Sequence, residues 1–180
     1  RKRMTRVALT EFPYRNGYND LTKNLYEHLT IYFAQKGLQV VERSKLNNVL
    51  QEQKISSSGV MDISTAQKLG ELVGAQAVLV GSISDLRDDV SLNARLVDVE
   101  TGTFLTAALV KLQKSPAIQS MLEKGQIMAS SRKSKDQFIS TDIAKGDINK
   151  DKNYRKTILP FFKKLNYFSI RSFTKSNPYF

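Results

Sequence analysis

The sequence lacks cysteine and tryptophan, and it has a single histidine, His28. Without cysteine the chain cannot form disulfides, zinc–thiolate sites or iron–sulfur clusters, and it offers no cysteine nucleophile. A single histidine excludes most metal sites and acid–base pairs that are built from histidines. No stretch approaches the roughly 18 apolar residues that a membrane-spanning helix needs.

Sequence motifs for catalysis or metal binding are also missing. There is no glycine-rich phosphate loop and no Gly-x-Ser-x-Gly nucleophile turn. His28 stands in a predicted helix between Leu25 and Leu29, which favours a partly exposed helix residue over a catalytic base. We therefore predict no catalytic residue, no cofactor and no metal, and a protein that is not an enzyme.

Two clusters of acidic residues have the composition of possible metal ligands. Asp85, Asp88 and Asp89 crowd one turn, which is typical of a solvated hairpin. Residues 147–151 match the first three ligand positions of a calcium-binding loop. However, Lys152 stands where that loop needs a glycine, and Ile158 where it needs a glutamate. Neither cluster predicts a metal site.

Charge divides the chain into two unequal parts. The 180 residues carry a net charge of +11, and 41% of them are hydrophobic, which is enough for a packed core. Residues 1–113 contain 14 basic and 12 acidic side chains, whereas residues 114–180 contain 14 basic and only 5 acidic ones. We predict a nearly neutral domain over 1–113 and a basic extension over 114–180.

The hydrophobic pattern of 1–113 predicts an α/β domain with the element order β-α-β-α-α-β-β-β. Strands are expected at 5–12, 38–42, 77–81, 90–96 and 103–112. Helices are expected after a cap at Asn19 or Asp20 as far as about Lys36, after a cap at Ser44, and from a capping box at Ser64 to Gly74. The first two strands should be parallel and the last three an antiparallel meander. The sum is a mixed sheet of about five strands with three helices.

The extension follows no clear period. Residues 116–124 are compatible with a short helix, and residues 158–173 interleave lysines with aromatic rings. Packing against the domain or a loose tail ranks first, an anionic surface such as lipid second, and nucleic acid third. Lys163, Lys164 and Arg171 are the candidate contacts of the extension with an anionic partner.

A series of short motifs resembles a known bacterial envelope family. They run in order through residues 40–108: Val40-Val41-Glu42-Arg43, Leu46, Val49-Leu50, Glu52-Gln53, Ser58-Gly59, Asp62, Thr65-Ala66, Lys68-Leu69-Gly70, Gly74-Ala75, Val80-Gly81-Ser82, Asn93-Ala94-Arg95-Leu96-Val97-Asp98 and Thr101-Gly102. The series resembles the FlgO domain of flagellar outer-membrane lipoproteins, over residues 5–112 of this chain. It is also similar to the curli-secretion lipoprotein CsgG and, more distantly, to the N-terminal domain of TolB and to LpoB.

This resemblance implies a non-enzymatic accessory or scaffolding protein, tethered by lipid to the outer membrane and facing the periplasm. It implies protein partners in flagellar, secretion or cell-wall assembly, with a homo-oligomer among the options. The sequence contains no lipid-bearing cysteine, and whether one preceded Arg1 is left open by the resemblance. Arg43 and Arg95 are candidate partner-binding residues, although a surface ion pair is the simpler role for Arg95. The alternative function is a basic module that binds nucleic acid or anionic lipid through residues 114–180.

Overall fold

The computed structural model describes residues 5–15, 17–54 and 61–123. The extension beyond Glu123 lies outside them, and with it Lys163, Lys164, Arg171 and residues 147–151. The described elements, in chain order, are β1 (Arg6–Leu9), α1 (Asp20–Gln35), β2 (Gln39–Val40), α2 (Arg43–Glu52), α3 (Ile63–Val73), β3 (Ala77–Asp85), β4 (Asp89–Asp98), β5 (Phe104–Gln113) and α4 (Pro116–Glu123).

The five strands form one mixed sheet in the order β2-β1-β3-β4-β5. Strand β1 is parallel to both β2 and β3, and the β3-β4-β5 meander is antiparallel. The predicted fold class and strand pairing are therefore confirmed. The short helix with which residues 116–124 are compatible is present as α4, a fourth helix beyond the three predicted for the domain. Its buried Ile118 and Leu122 join the core beneath α1. The division of the chain after residue 113 stays a prediction.

The sheet separates two hydrophobic clusters. The larger one lies under α1 and α4 and includes Leu25 and Leu29 of α1 together with Leu79, Leu92 and Leu96 of the sheet. The smaller one lies under α2 and α3 and takes side chains from the opposite face of β1, β3 and β4. Alternation along each strand sends successive side chains to opposite faces, which is why β3 is apolar on both.

Helix α1 begins and ends as its sequence predicts. Asn19 accepts a hydrogen bond from the Thr22 N–H at 3.0 Å, and the Thr22 hydroxyl in turn accepts one from the Asn19 N–H at 2.9 Å. This reciprocal pair satisfies two N–H groups that the helix itself leaves unpaired. Gly37 follows the helix with φ +79°, a conformation that favours glycine.

Two predicted caps are wrong. Helix α2 begins at Arg43, and its N-cap residue, Glu42, makes no side-chain capping bond, so Ser44 lies inside the helix. Helix α3 begins at Ile63 because Asp62 accepts a hydrogen bond from the Thr65 N–H at 2.8 Å. Asp62 fills the role predicted for Ser64, since a carboxylate two residues earlier also reaches the free N–H groups.

The predicted first strand, 5–12, is too long: alternation along it would place Phe12 on the face that carries Ala8, and Phe12 lies on the other face. Strand β1 ends at Leu9, so the alternation of side chains along the strand does not determine which face Phe12 lies on. Its ring joins the cluster under α1 instead of the face that carries Ala8. The ring occupies the space beside Gly81, where a Cβ atom would collide with it.

Candidate functional site

Helices α2 and α3 cover only part of the length of the strands on their face of the sheet. On β3 this face carries Val78 and Val80, which are buried, and then Ser82 and Ser84. On β4, Val97 is buried beneath the helices, and Asn93 and Arg95 lie beyond it. The change from valine to polar residues agrees with exposure to water over the outer half of the sheet.

Strand β5 departs from that pattern. Its residues on this face are Phe104, Ala107, Leu109 and Lys111, which lie opposite Val97, Arg95, Asn93 and Ser91 of β4. Phe104 is 46% exposed and Leu109 is 57% exposed, although both are large and apolar. The two lie on the same face of β5 with Ala107 between them. Exposed apolar side chains that share one surface mark interaction sites more often than isolated ones do.

The start of α3 extends this surface. Ile63 is exposed there and faces a groove of about 440 Å³. The groove is lined by Met61, Asp62, Ile63, Ser64, Val80, Arg95, Val97 and Phe104. We define the open face as Ile63, Arg95, Phe104, Ala107, Leu109 and Lys111. It joins three exposed apolar side chains to two cations.

Arg95 is held over the apolar part of the open face. Its guanidinium carbon lies 5.3 Å from the centre of the Phe104 ring, a cation–π contact. The structure gives Arg95 no ion pair within residues 5–15, 17–54 and 61–123. The simpler role that the sequence suggested for it, a surface ion pair, is therefore not what the described residues supply.

Asp62 is the acidic residue that lines the same groove. Its carboxylate accepts hydrogen bonds from the Ser64 hydroxyl at 2.6 Å, the Thr65 N–H at 2.8 Å and the Thr65 hydroxyl at 2.9 Å. The bonds from Ser64 and Thr65 lower its pKa to about 2. Its charge is engaged in capping α3, which is a structural role.

Arg43 lies elsewhere, in a crevice of about 520 Å³ at the carboxyl end of β1. Its side chain forms an ion pair with Glu11 and lies 5.3 Å from the centre of the Tyr26 ring. Burial raises the pKa of Tyr26, which keeps the phenol protonated beside the guanidinium. This ion pair ties the segment that follows β1 to α2. Because Glu11 neutralises its charge, Arg43 has less charge to offer a partner than Arg95.

The predicted acidic hairpin holds a structural cluster. The carboxylate of Asp85 forms ion pairs with Arg15 and Lys114 and accepts a hydrogen bond from the Tyr14 hydroxyl at 2.7 Å. The hydrogen bond from Lys114, followed by that from Tyr14, lowers the pKa of Asp85. Burial raises the pKa of Tyr14 to about 12. In the described part of the chain, no group of three or more acidic or histidine side chains is arranged to hold a metal ion.

His28 lies half-buried on α1, as the sequence indicated, and burial lowers its pKa. Within the described residues no helix is both long and apolar enough to cross a bilayer.

Comparison with known proteins shows a partial family match. Residues 19–89 match the family model described as the curli production assembly/transport component CsgG. This part of the chain is similar to CsgG. This CsgG-like match ends at the start of β4, so it leaves Arg95 and the whole of β5 outside. A search of curated proteins finds no match.

Solved structures share the fold of this domain. The LpoB C-terminal domain from Escherichia coli is 19% identical, with a TM-score of 0.50 over 61% of this chain and 83% of that one. Lipoprotein GNA1162 from Neisseria meningitidis is 16% identical, with a TM-score of 0.51 over 66% of this chain and 90% of that one. The resemblance to CsgG and LpoB predicted from the sequence is confirmed. At these low identities the TM-scores show a shared fold.

Proposed function

We propose that this chain is a non-enzymatic accessory protein of the cell envelope that binds protein partners through the open face. The observation that carries the proposal is the exposure of Phe104 and Leu109 beside Arg95 on an otherwise polar half of the sheet. Phenylalanine and arginine are both enriched in protein–protein interfaces relative to the rest of the surface. The CsgG-like match and a fold shared with a lipoprotein support the envelope location.

The finer part of the proposal concerns place and role. The protein faces the periplasm from the outer membrane, tethered there by lipid, and it serves flagellar, secretion or cell-wall assembly. Fractionation of the native cell with detergent partitioning and mass analysis of the mature N-terminus tests this. Outer-membrane recovery with a lipidated N-terminus supports the proposal, and recovery in the cytosol alone overturns it.

Binding through the open face is tested separately by site-specific photo-crosslinking in the native envelope. The reactive amino acid replaces Leu109 in one strain and Ile31 in the other. Ile31 is a matched control because it is 53% exposed and lies on α1, across the sheet from the open face. Adducts at position 109 that are missing at position 31 support the proposal. Equal adducts at both positions contradict it.

The basic extension supplies the alternative function, binding to nucleic acid or anionic lipid through residues 114–180. Removing all of these residues would also remove α4, whose Ile118 is fully buried in the core. Ending the chain after Glu123 is the cleaner test because it keeps α4 in place. Binding to anionic vesicles or oligonucleotides that falls with salt and disappears on this truncation would favour the alternative.

A further inference from the structure

The two edges of the sheet differ in length. Strand β2 forms one edge with two residues, Gln39–Val40, whereas β5 forms the other with ten, Phe104–Gln113. No strand among residues 5–15, 17–54 and 61–123 pairs with the outer edge of β5. In an antiparallel ladder, alternate residues direct their N–H and C=O groups away from the paired neighbour, so this edge offers a row of backbone donors and acceptors.

The sequence of β5 does little to block pairing along this edge. Natural edge strands are usually short, bulged, or interrupted by proline and charge. Strand β5 contains no proline, and its one charged residue, Lys111, lies near its end. The register shift of the β4–β5 pair lies at the opposite end, beside Val97. The stretch between them, residues 106–110, is uncharged and regular.

The charged residues on the strands of the open face are both cations, and Asp62, the acidic side chain that lines the adjoining groove, is engaged in capping α3. Lys111 is directly on β5, and the guanidinium of Arg95 leans from β4 across the Phe104 ring of β5. From Ser91 to Val97 and from Phe104 to Gln113 there is no aspartate or glutamate. A strand added beside β5 would meet a cation near each end and the apolar Ala107 and Leu109 between them.

We infer that the partner bound at the open face supplies an extended segment that pairs with the outer edge of β5 and places acidic side chains near Arg95 and Lys111, with apolar ones between. This inference rests on the proposed function, whose partner it specifies. Main-chain pairing supplies affinity in this mode of recognition, and side chains on alternate positions supply specificity. A second copy of the chain is the less favourable occupant, because pairing through its β5 would bring its own Arg95 and Lys111 against the same two cations of the first copy.

The test uses the full 180-residue chain and a synthetic peptide, TETVTVTET, with both ends blocked. As a strand, this peptide presents two glutamates that flank two valines on one face. Binding is measured by isotope-labelled NMR, which reports which amides change. We expect shifts confined to β5 and the open face, slower hydrogen exchange at β5 amides, and weaker binding as salt rises.

Two altered peptides separate charge from strand pairing. Replacing both glutamates by lysine keeps the strand pattern but reverses the charge, and we expect binding to weaken about tenfold or more. Methylating alternate backbone nitrogens keeps the charges but removes the donors along one edge, and we expect binding to be lost. Unchanged affinity in either case overturns the inference.

Charge-reversed proteins provide the matched control. Arg95→Glu should weaken binding of the glutamate peptide and strengthen that of the lysine peptide, whereas Lys23→Glu should change neither. Lys23 is exposed on α1, across the sheet from the open face. Equal effects of the two variants would mean that overall charge, not the open face, governs binding, and would overturn the inference.

Failure of this inference is distinguishable from failure of the proposed function. If crosslinking at Leu109 succeeds in the envelope but the glutamate peptide does not bind β5, the open face binds a partner of other chemistry. If sedimentation of the full chain shows self-association that Leu109→Gln abolishes, a second copy occupies the edge. Either result overturns the acidic-strand partner and leaves the use of the open face standing.

Discussion

The helices cover the two faces of the sheet to different extents. Under α1 and α4 the strands are covered to their ends, and Leu92 and Leu112 at the outer half of the sheet are fully buried. Under α2 and α3 coverage ends near Val80 and Val97, yet β5 still presents Phe104 and Leu109 beyond that point. The face under α1 and α4 therefore completes the core of the domain, whereas the face under α2 and α3 retains apolar surface that no described element covers.

The largest expected effect is on the covered face. Leu92→Ala removes a side chain that has no exposed surface, and the cavity it leaves should lower the free energy of unfolding by about 2–5 kcal/mol. Leu109→Ala, one strand away on the open face, should change it by less than about 0.5 kcal/mol. Urea denaturation of both variants checks the difference. Equal losses would mean that Leu109 is part of the core.

The next effect concerns the closeness of α3 to the sheet. A Cβ atom at Gly70 would collide with one methyl group of Val99 and lie tightly against a methyl group of Val78, so Gly70→Ala should cost about 1–3 kcal/mol of unfolding free energy. Adding Val99→Ala makes room, and the double variant should lose less than the sum of the single losses. Strict additivity, measured in the same denaturation series, would contradict this close contact.

A smaller effect is expected at the Asp85 cluster. Tyr14→Phe removes a 2.7 Å hydrogen bond and should cost about 1 kcal/mol. The raised pKa of Tyr14 contributes stability that is present below pH 10 and is lost as the pH rises towards about 12. The variant should lack this alkaline loss in a pH series of thermal melts. The same alkaline loss in both proteins would exclude Tyr14 as its source.

Asp85 gives the opposite pH dependence. Its pKa is lowered from 3.8 in the folded state, so its contribution is present above pH 3.8 and is lost as the pH falls through the folded value. Asp85→Asn should remove this acid-dependent part and leave Arg15 and Lys114 without their shared carboxylate. A variant with the acid profile of the natural protein would contradict the assignment.

The sequence was most informative where one local interaction decides the outcome. The apolar stripe of α1, its cap at Asn19 and the alternation of β4 all predicted elements that the structure contains. Starts of α2 and α3 were less predictable because several polar residues in each loop were able to cap. Asp62 and Ser64 are both good N-caps, and the hydrogen bond to Thr65 selects the first.

The open face was harder to predict because it depends on which strands the helices cover. Arg95 was singled out from its position beside a strand, but Phe104 and Leu109 were assigned simply to the last strand. One signal was present: β5 is apolar on both faces, a pattern typical of central strands, yet it ends a meander. An edge strand with that pattern indicates a missing neighbour.

The smallest expected change in stability belongs to the variant with the largest expected change in binding. Leu109→Gln and Ile31→Gln replace side chains of similar exposure on opposite sides of the sheet, and both should leave the free energy of unfolding within about 0.5 kcal/mol. The measurement that tests the central claim most directly is the yield of partner adducts in the native envelope for these two variants, with one crosslinker placed at Ala107 in both. The account predicts that Leu109→Gln lowers the yield strongly and Ile31→Gln does not. Equal yields from the two variants would contradict it.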